Sequence, residues 1–181
     1  MSSVKRINLC AMFIALCYVL PVAFHSVGLG GSLSPMHIPV LLCGIICGPG
    51  PGLICGIIGP VLSSLLSGMP PVLMLVRMIP ELCVYGISAG FSMKYIFSGR
   101  LAADIYISLT IAMIAGRIAG GIASAVFYAV TSGVYSVALW VSGYFLESIP
   151  GIVAHMILIP ILVIMLERTR LIPARYANTA V

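Results

Sequence analysis

The sequence predicts an all-α integral membrane protein of six transmembrane helices with both termini on the cytoplasmic side. Of its 181 residues, 61% are hydrophobic and 7% charged, with a mean hydropathy of +1.22; that is too little polar surface to coat a soluble globule. The apolar residues lie in continuous stretches near 7–24, 38–67, 72–93, 104–130 and 143–166. These are close to or beyond the roughly 20 residues a helix needs to cross a bilayer, and they lack the alternation of barrel strands. The chain has nine Lys and Arg and four Asp and Glu. Most lie at the ends of the stretches, whereas Arg77, Glu81, Arg117 and Glu147 lie within or at the edge of them.

Taken in order, the first stretch follows Lys5 and Arg6. That flank also suits a signal peptide, but no small-x-small cleavage site follows and Pro21–His25 is a poor substitute. It is expected to stay as helix one. The second stretch is broken by Gly48-Pro49-Gly50-Pro51-Gly52, a run short of amide donors that favours a turn over a helix. It reads as two short helices, so the chain comes back to the side where it began, whether the hairpin crosses completely or only re-enters. Stretches 72–93, 104–130 and 143–166 then make helices four, five and six. No soluble domain, linker or low-complexity segment interrupts them, and residues 1–181 read as a single transmembrane domain.

Charge sets the orientation. In this topology Lys5, Arg6, Lys94, Arg100, Arg168, Arg170 and Arg175 share one side, while 25–37, 68–71 and 131–142 hold no Lys or Arg. The basic side is expected to be cytoplasmic, in a multi-pass protein of the cell membrane. A single span over 38–67 would put Lys94 and Arg100 outside. The net charge of +5 thus reflects topology and implies no nucleic-acid partner.

All six cysteines fall in apolar segments. Cys43 and Cys47 share a helix face, but no His or carboxylate is spaced to complete a metal site, so small packing residues are expected. Gly44, Gly48, Gly52 and Gly56 recur every four positions around the turn, which permits close backbone approach within the hairpin. Ala11 and Ala15 form a second small-residue pair, in LCAMFIALC.

Several of these segments together resemble a family. The His37-Ile38-Pro39 start of helix two, the Gly-Pro turn at 48–52, the Ser67-Gly68-Met69-Pro70-Pro71 loop and the Ala11/Ala15 pair make the chain similar to the substrate-binding S component of an energy-coupling factor (ECF) vitamin transporter. The resemblance implies that Ala11 and Ala15 dock on a transmembrane coupling subunit driven by two cytoplasmic ATPase subunits. It also implies that the substrate sits in the outward half, beneath loops 25–37 and 68–71. No G-x-x-x-x-G-K-[ST] occurs here, and GPGPG lacks the phosphate-reaching lysine, so ATP hydrolysis falls to the partners and no cofactor is expected.

Polar groups near that half are the candidate substrate contacts. Arg77 and Glu81 lie four apart on one helix face, where they either neutralise each other or meet ligand. Arg117 has no acid at helical spacing and needs a partner from another helix or from the substrate, Glu147 being one. Two intramembrane arginines suit an anion, since a guanidinium grips a carboxylate through two parallel hydrogen bonds. A small carboxylated vitamin is the expected cargo, pantothenate-like by the look of the His-Ile-Pro and Gly-Met-Pro-Pro segments. Pyridoxine- or thiamine-related compounds, a queuosine precursor, folate and cobalamin stay open.

His37 and His155 are further candidates, either for ligand or for a neighbouring helix. Tyr128, with Tyr135, Trp140 and Tyr144, is either part of the site or of an interfacial aromatic belt. Gly28, Gly30, Gly31 and Gly68 give the outer loops backbone freedom, and these loops, with Met69, are expected to act as a gate. An intramembrane enzyme using Ser63, Ser64 or Ser67 with His37 would need a nucleophilic dyad, yet neither G-x-S-x-G nor H-E-x-x-H occurs. A self-sufficient channel or carrier is disfavoured by the lack of an inverted repeat.

Overall fold

Helices account for every regular element in the computed structural model, which describes residues 1–26, 28, 34–131, 133 and 135–176. They are α1 (Ser3–Ser26), α2 (His37–Cys47), α3 (Pro49–Ser67), α4 (Val72–Tyr95), α5 (Leu101–Val130), α6 (Val137–Val141) with a following π-helical turn (Ser142–Leu146), and α7 (Ile149–Arg168). Five of these, α1, α3, α4, α5 and α7, are long and apolar enough to cross a membrane. The remaining predicted segment, α2, has 11 residues, which is about 16 Å of helix and roughly half a hydrocarbon core.

The break between α2 and α3 is narrower than its composition suggests. Only Gly48 lies outside both helices, with φ +96° and its amide on the Gly44 carbonyl. Pro49 opens α3 directly, because the first turn of a helix has no use for the amide proton that proline lacks. The glycine stripe is realised in part within the hairpin, where a Cβ on Gly52 would lie 2.9 Å from Gly44 Cα. Its main partner is α4: that same Cβ would lie 2.5 Å from the Gly86 carbonyl oxygen, and one on Gly56 2.7 Å from that of Leu82.

Helix α2 is buried along nearly its whole length, from Ile38 to Cys47, as an all-round apolar helix must be. Around it gather Phe13 of α1, Leu82 and Tyr85 of α4, Leu109 of α5 and Ile159 of α7, all in one cluster. Cys10, Cys17, Cys43, Cys47 and Cys55 are buried free thiols in the same interior.

At the other end of α5, the fully buried Asp104 accepts from Ser98 N (2.8 Å) and Oγ (2.6 Å), from Tyr176 Oη (2.5 Å) and from Arg175 Nε (2.7 Å). Arg175 also donates to the Ile96 carbonyl. These bonds fasten the segment after α7 to the α4–α5 connection. The sequence reading left both charges among the flanking ones, since no local spacing relates residue 104 to residue 175.

The stretch 131–142, expected as a loop, instead contains α6, whose first turn is capped by Ser136 Oγ accepting from Leu139 N (3.3 Å). Predicted helix six is thereby divided: its first residues form the π-helical turn, and α7 starts afresh at Ile149-Pro150. That division carries Gly143, Tyr144, Glu147 and Ser148 to a common cavity wall.

Candidate substrate cavity

A cavity of about 550 Å³ lies beneath the ends of α1, α3 and α4. Helix α4 contributes one face to it, with Met74, Arg77, Met78 and Glu81 at three- and four-residue spacing. Pro21 and His25 of α1, residues 34–37, Met69–Pro71, Arg117 of α5, and Gly151 and His155 of α7 complete the wall with the π-helical segment. The mouth is rich in Pro and Met, whereas the buried end carries charge.

That buried end is one connected polar chain. His37 Nε2 lies 3.6 Å from Glu81 Oε1, which accepts from Tyr85 Oη at 2.9 Å. Tyr85 Oη in turn accepts from Arg117 Nη1 at 3.3 Å. Arg117 Nη2 donates to Ser148 Oγ at 3.1 Å, and its guanidinium lies 5.6 Å from the Phe145 ring centre. Arg117 is 6% exposed and Glu81 8%, so both charges are desolvated and depend on these bonds.

His155 stacks on His37 with ring centres 5.7 Å apart and is 2% exposed. Neither of its ring nitrogens has a hydrogen-bond partner among the described residues. The nearby Ser34 carbonyl is bonded to His37 Nδ1 instead, at 3.0 Å. Buried polar atoms in folded proteins are paired almost without exception, so an unbonded imidazole in a cavity wall is a place for a ligand atom or a water.

The two arginine expectations resolve differently. Arg77 does not pair with Glu81; among the described residues the near neighbour of the Glu81 carboxylate is His37, and the arginine–carboxylate pair is Arg175–Asp104. Its guanidinium instead lies 5.5 and 5.4 Å from the Phe127 and Tyr128 ring centres, and Nη1 reaches Tyr128 Oη at 3.4 Å. Arg117 pairs with no carboxylate of the described residues, Glu147 included, although Glu147 lines the same cavity.

Tyr128 itself stands behind Arg77, stacked on Tyr135 at 5.3 Å, and does not line the cavity. Trp140 Nε1 donates to the Arg117 carbonyl at 3.1 Å. Ser63, Ser64 and Ser67 donate to the Met69, Pro70 and Ser63 carbonyls at 2.7–2.8 Å and not to His37. Of the gate residues, Gly68 ends α3 at φ +69° and Met69 is exposed in the cavity wall; Gly30 and Gly31 lie outside the described residues. Ala11 and Ala15 are both exposed on α1.

Sequence reasoning missed Tyr85 and Ser148, although Tyr85 lies one helical turn beyond Glu81. It also missed Gly116, Gly120 and Gly121, where a Cβ would strike the Tyr85, Tyr144 and Trp140 rings respectively. The Gly-x-x-x-Gly-Gly spacing on α5 was the available signal for that aromatic seat.

Comparison with curated proteins and with solved structures gave no match. The family described as "ECF transporter, substrate-specific component" matches residues 5–163, which include all seven helices but for the first and last residues of the outer two. By that match the chain belongs to the substrate-specific components of ECF transporters.

Proposed function

We propose that this chain captures a small carboxylated vitamin or vitamin precursor, pantothenate-like as the first candidate, at the outer face of the membrane for uptake by an ECF-type transporter. In this reading both termini are cytoplasmic, the α2–α3 hairpin returns to the cytoplasmic side, and the Ala11/Ala15 face docks on the coupling subunit that two ATPases drive. The cavity is the substrate site. The observation that carries the reading is Arg117, a buried guanidinium bonded to two hydroxyls and to no carboxylate of the described residues. A substrate carboxylate supplies the missing counter-charge, with His155 at hand for a second polar atom.

Glu81 and Glu147 in the same wall favour a second reading, a cationic pyridine or pyrimidine. One experiment separates the two: titration calorimetry of pantothenate and of an uncharged amide analogue against the wild type and Arg117→Ala. The variant should lose roughly 2–5 kcal/mol for the acid, as expected for a truncated buried charge pair, and much less for the amide. Comparable losses for both would make Arg117 a structural residue and turn attention to Glu81.

A further inference from the structure

A second recess, of about 570 Å³, opens at the opposite end of the bundle where α2 meets α3. Gly48 and the first turn of α3 line it, pressed so closely on α4 that a Cβ at Gly90 would collide with the Pro49 and Gly48 backbone. Three basic side chains from distant parts of the chain border it: Arg6 near the start of α1, Lys94 near the end of α4, and Arg175 beyond α7. Among the described residues, no Asp or Glu lines it.

The three cations are not equivalent. Arg175 is neutralised by Asp104 at 2.7 Å, while Arg6 and Lys94 are exposed and in no ion pair with a described residue. The recess therefore presents two uncompensated positive charges at the end of the spans, where a bilayer meets water. Its shoulders are apolar. Val4 and Ile7 of α1 are 68% and 67% exposed, and on α4 the exposed Phe91 and Tyr95 stack at 6.1 Å, with the Lys94 ammonium 5.2 Å from the Tyr95 ring centre. A cationic recess whose lining residues have exposed apolar side chains as sequence neighbours complements a molecule with an anionic head and apolar tails.

We propose that this recess binds the phosphate headgroup of an anionic phospholipid between Arg6 and Lys94, with the acyl chains along Val4/Ile7 and Phe91/Tyr95. Such a lipid bridges the foot of α1, which packs on α2 and α3, to the foot of α4. The site requires only that the recess lie at a bilayer surface, and it is independent of the cargo of the outer cavity.

Native mass spectrometry of the full chain, with phosphatidylglycerol and phosphatidylcholine as competing probes, tests it. The wild type should retain phosphatidylglycerol preferentially. Each charge near an anionic headgroup contributes on the order of fivefold, so Lys94→Gln should weaken retention about fivefold and the Arg6→Gln/Lys94→Gln double variant about 25-fold, while Arg6→Lys keeps it. Since both side chains are exposed, thermal unfolding in phosphatidylcholine nanodiscs should be unchanged by either Gln substitution, and the single variant serves if the double one fails to fold. Equal retention of the two lipids by the wild type, or of phosphatidylglycerol by wild type and Lys94→Gln, overturns the proposal. Displacement of the lipid by millimolar inorganic phosphate overturns it too, by making the site one for the free anion.

Discussion

At the scale of single residues, one hydroxyl connects the two opposite buried charges of the cavity. Tyr85 Oη donates to Glu81 and accepts from Arg117, so each charge keeps a bond without the two meeting. Removing that oxygen leaves both groups short of a partner, at a cost of about 1–3 kcal/mol. Tyr85→Phe should therefore lower thermal stability and weaken substrate binding on the order of tenfold. Tyr128→Phe, which removes only the 3.4 Å bond to the half-buried Arg77, should do markedly less. Calorimetry on the two variants checks this, and equal affinities would show that Arg117 is placed by Ser148 and packing instead.

At the scale of elements, close packing of the α2–α3 hairpin on α4 depends on glycine where backbone meets backbone. A Cβ at Gly86 would strike the Gly52 backbone, and no flexible side chain is there to yield. Overpacking of this kind costs typically about 1–3 kcal/mol. Gly86→Ala should lower the melting temperature in detergent, whereas Gly50→Ala, with nothing within 4 Å of its new methyl, should not. A tolerated Gly86→Ala would mean that the hairpin and α4 separate more easily than their geometry indicates. The same hairpin shows how far local chemistry reaches: composition announced a break between Cys47 and Leu53, but only the seating of Pro49 in the first turn of α3 reduced it to Gly48.

At the scale of the whole molecule, the two proposed working surfaces lie apart. Ala11 and Ala15 are exposed on α1, whereas that helix reaches the cavity only through Pro21 and His25. Ala15→Trp should abolish uptake in cells that hold the coupling subunits and leave substrate affinity of the solitary protein intact; equal loss of both would sink the docking assignment. The gate is tested at Met69, held near α3 by Ser63 donating to its carbonyl. Five native cysteines are buried and Cys83 is half-buried, so Met69→Cys offers the accessible thiol. Its labelling by a membrane-impermeant maleimide should slow when substrate is added, and an unchanged rate would remove this loop from the gate.

Composition and the spacing of apolar runs were enough to determine an all-helical membrane protein, its main helix positions and the four charged residues inside the apolar segments, because hydrocarbon tolerates only internally bonded backbone and makes every buried charge conspicuous. They also led to Arg77, Glu81, Arg117, Glu147, His37 and His155, all of which the structure brings to one cavity. Which charge meets which was decided by tertiary structure alone. Helical spacing left Arg77 a choice between Glu81 and ligand, whereas packing gave Arg77 to Tyr128, joined Glu81 to Arg117 through Tyr85, and set Asp104 against Arg175 from 71 residues away. Pairing inside a membrane depends on which helix faces turn toward each other, and that follows from the close contacts of many small residues at once, which no local spacing records.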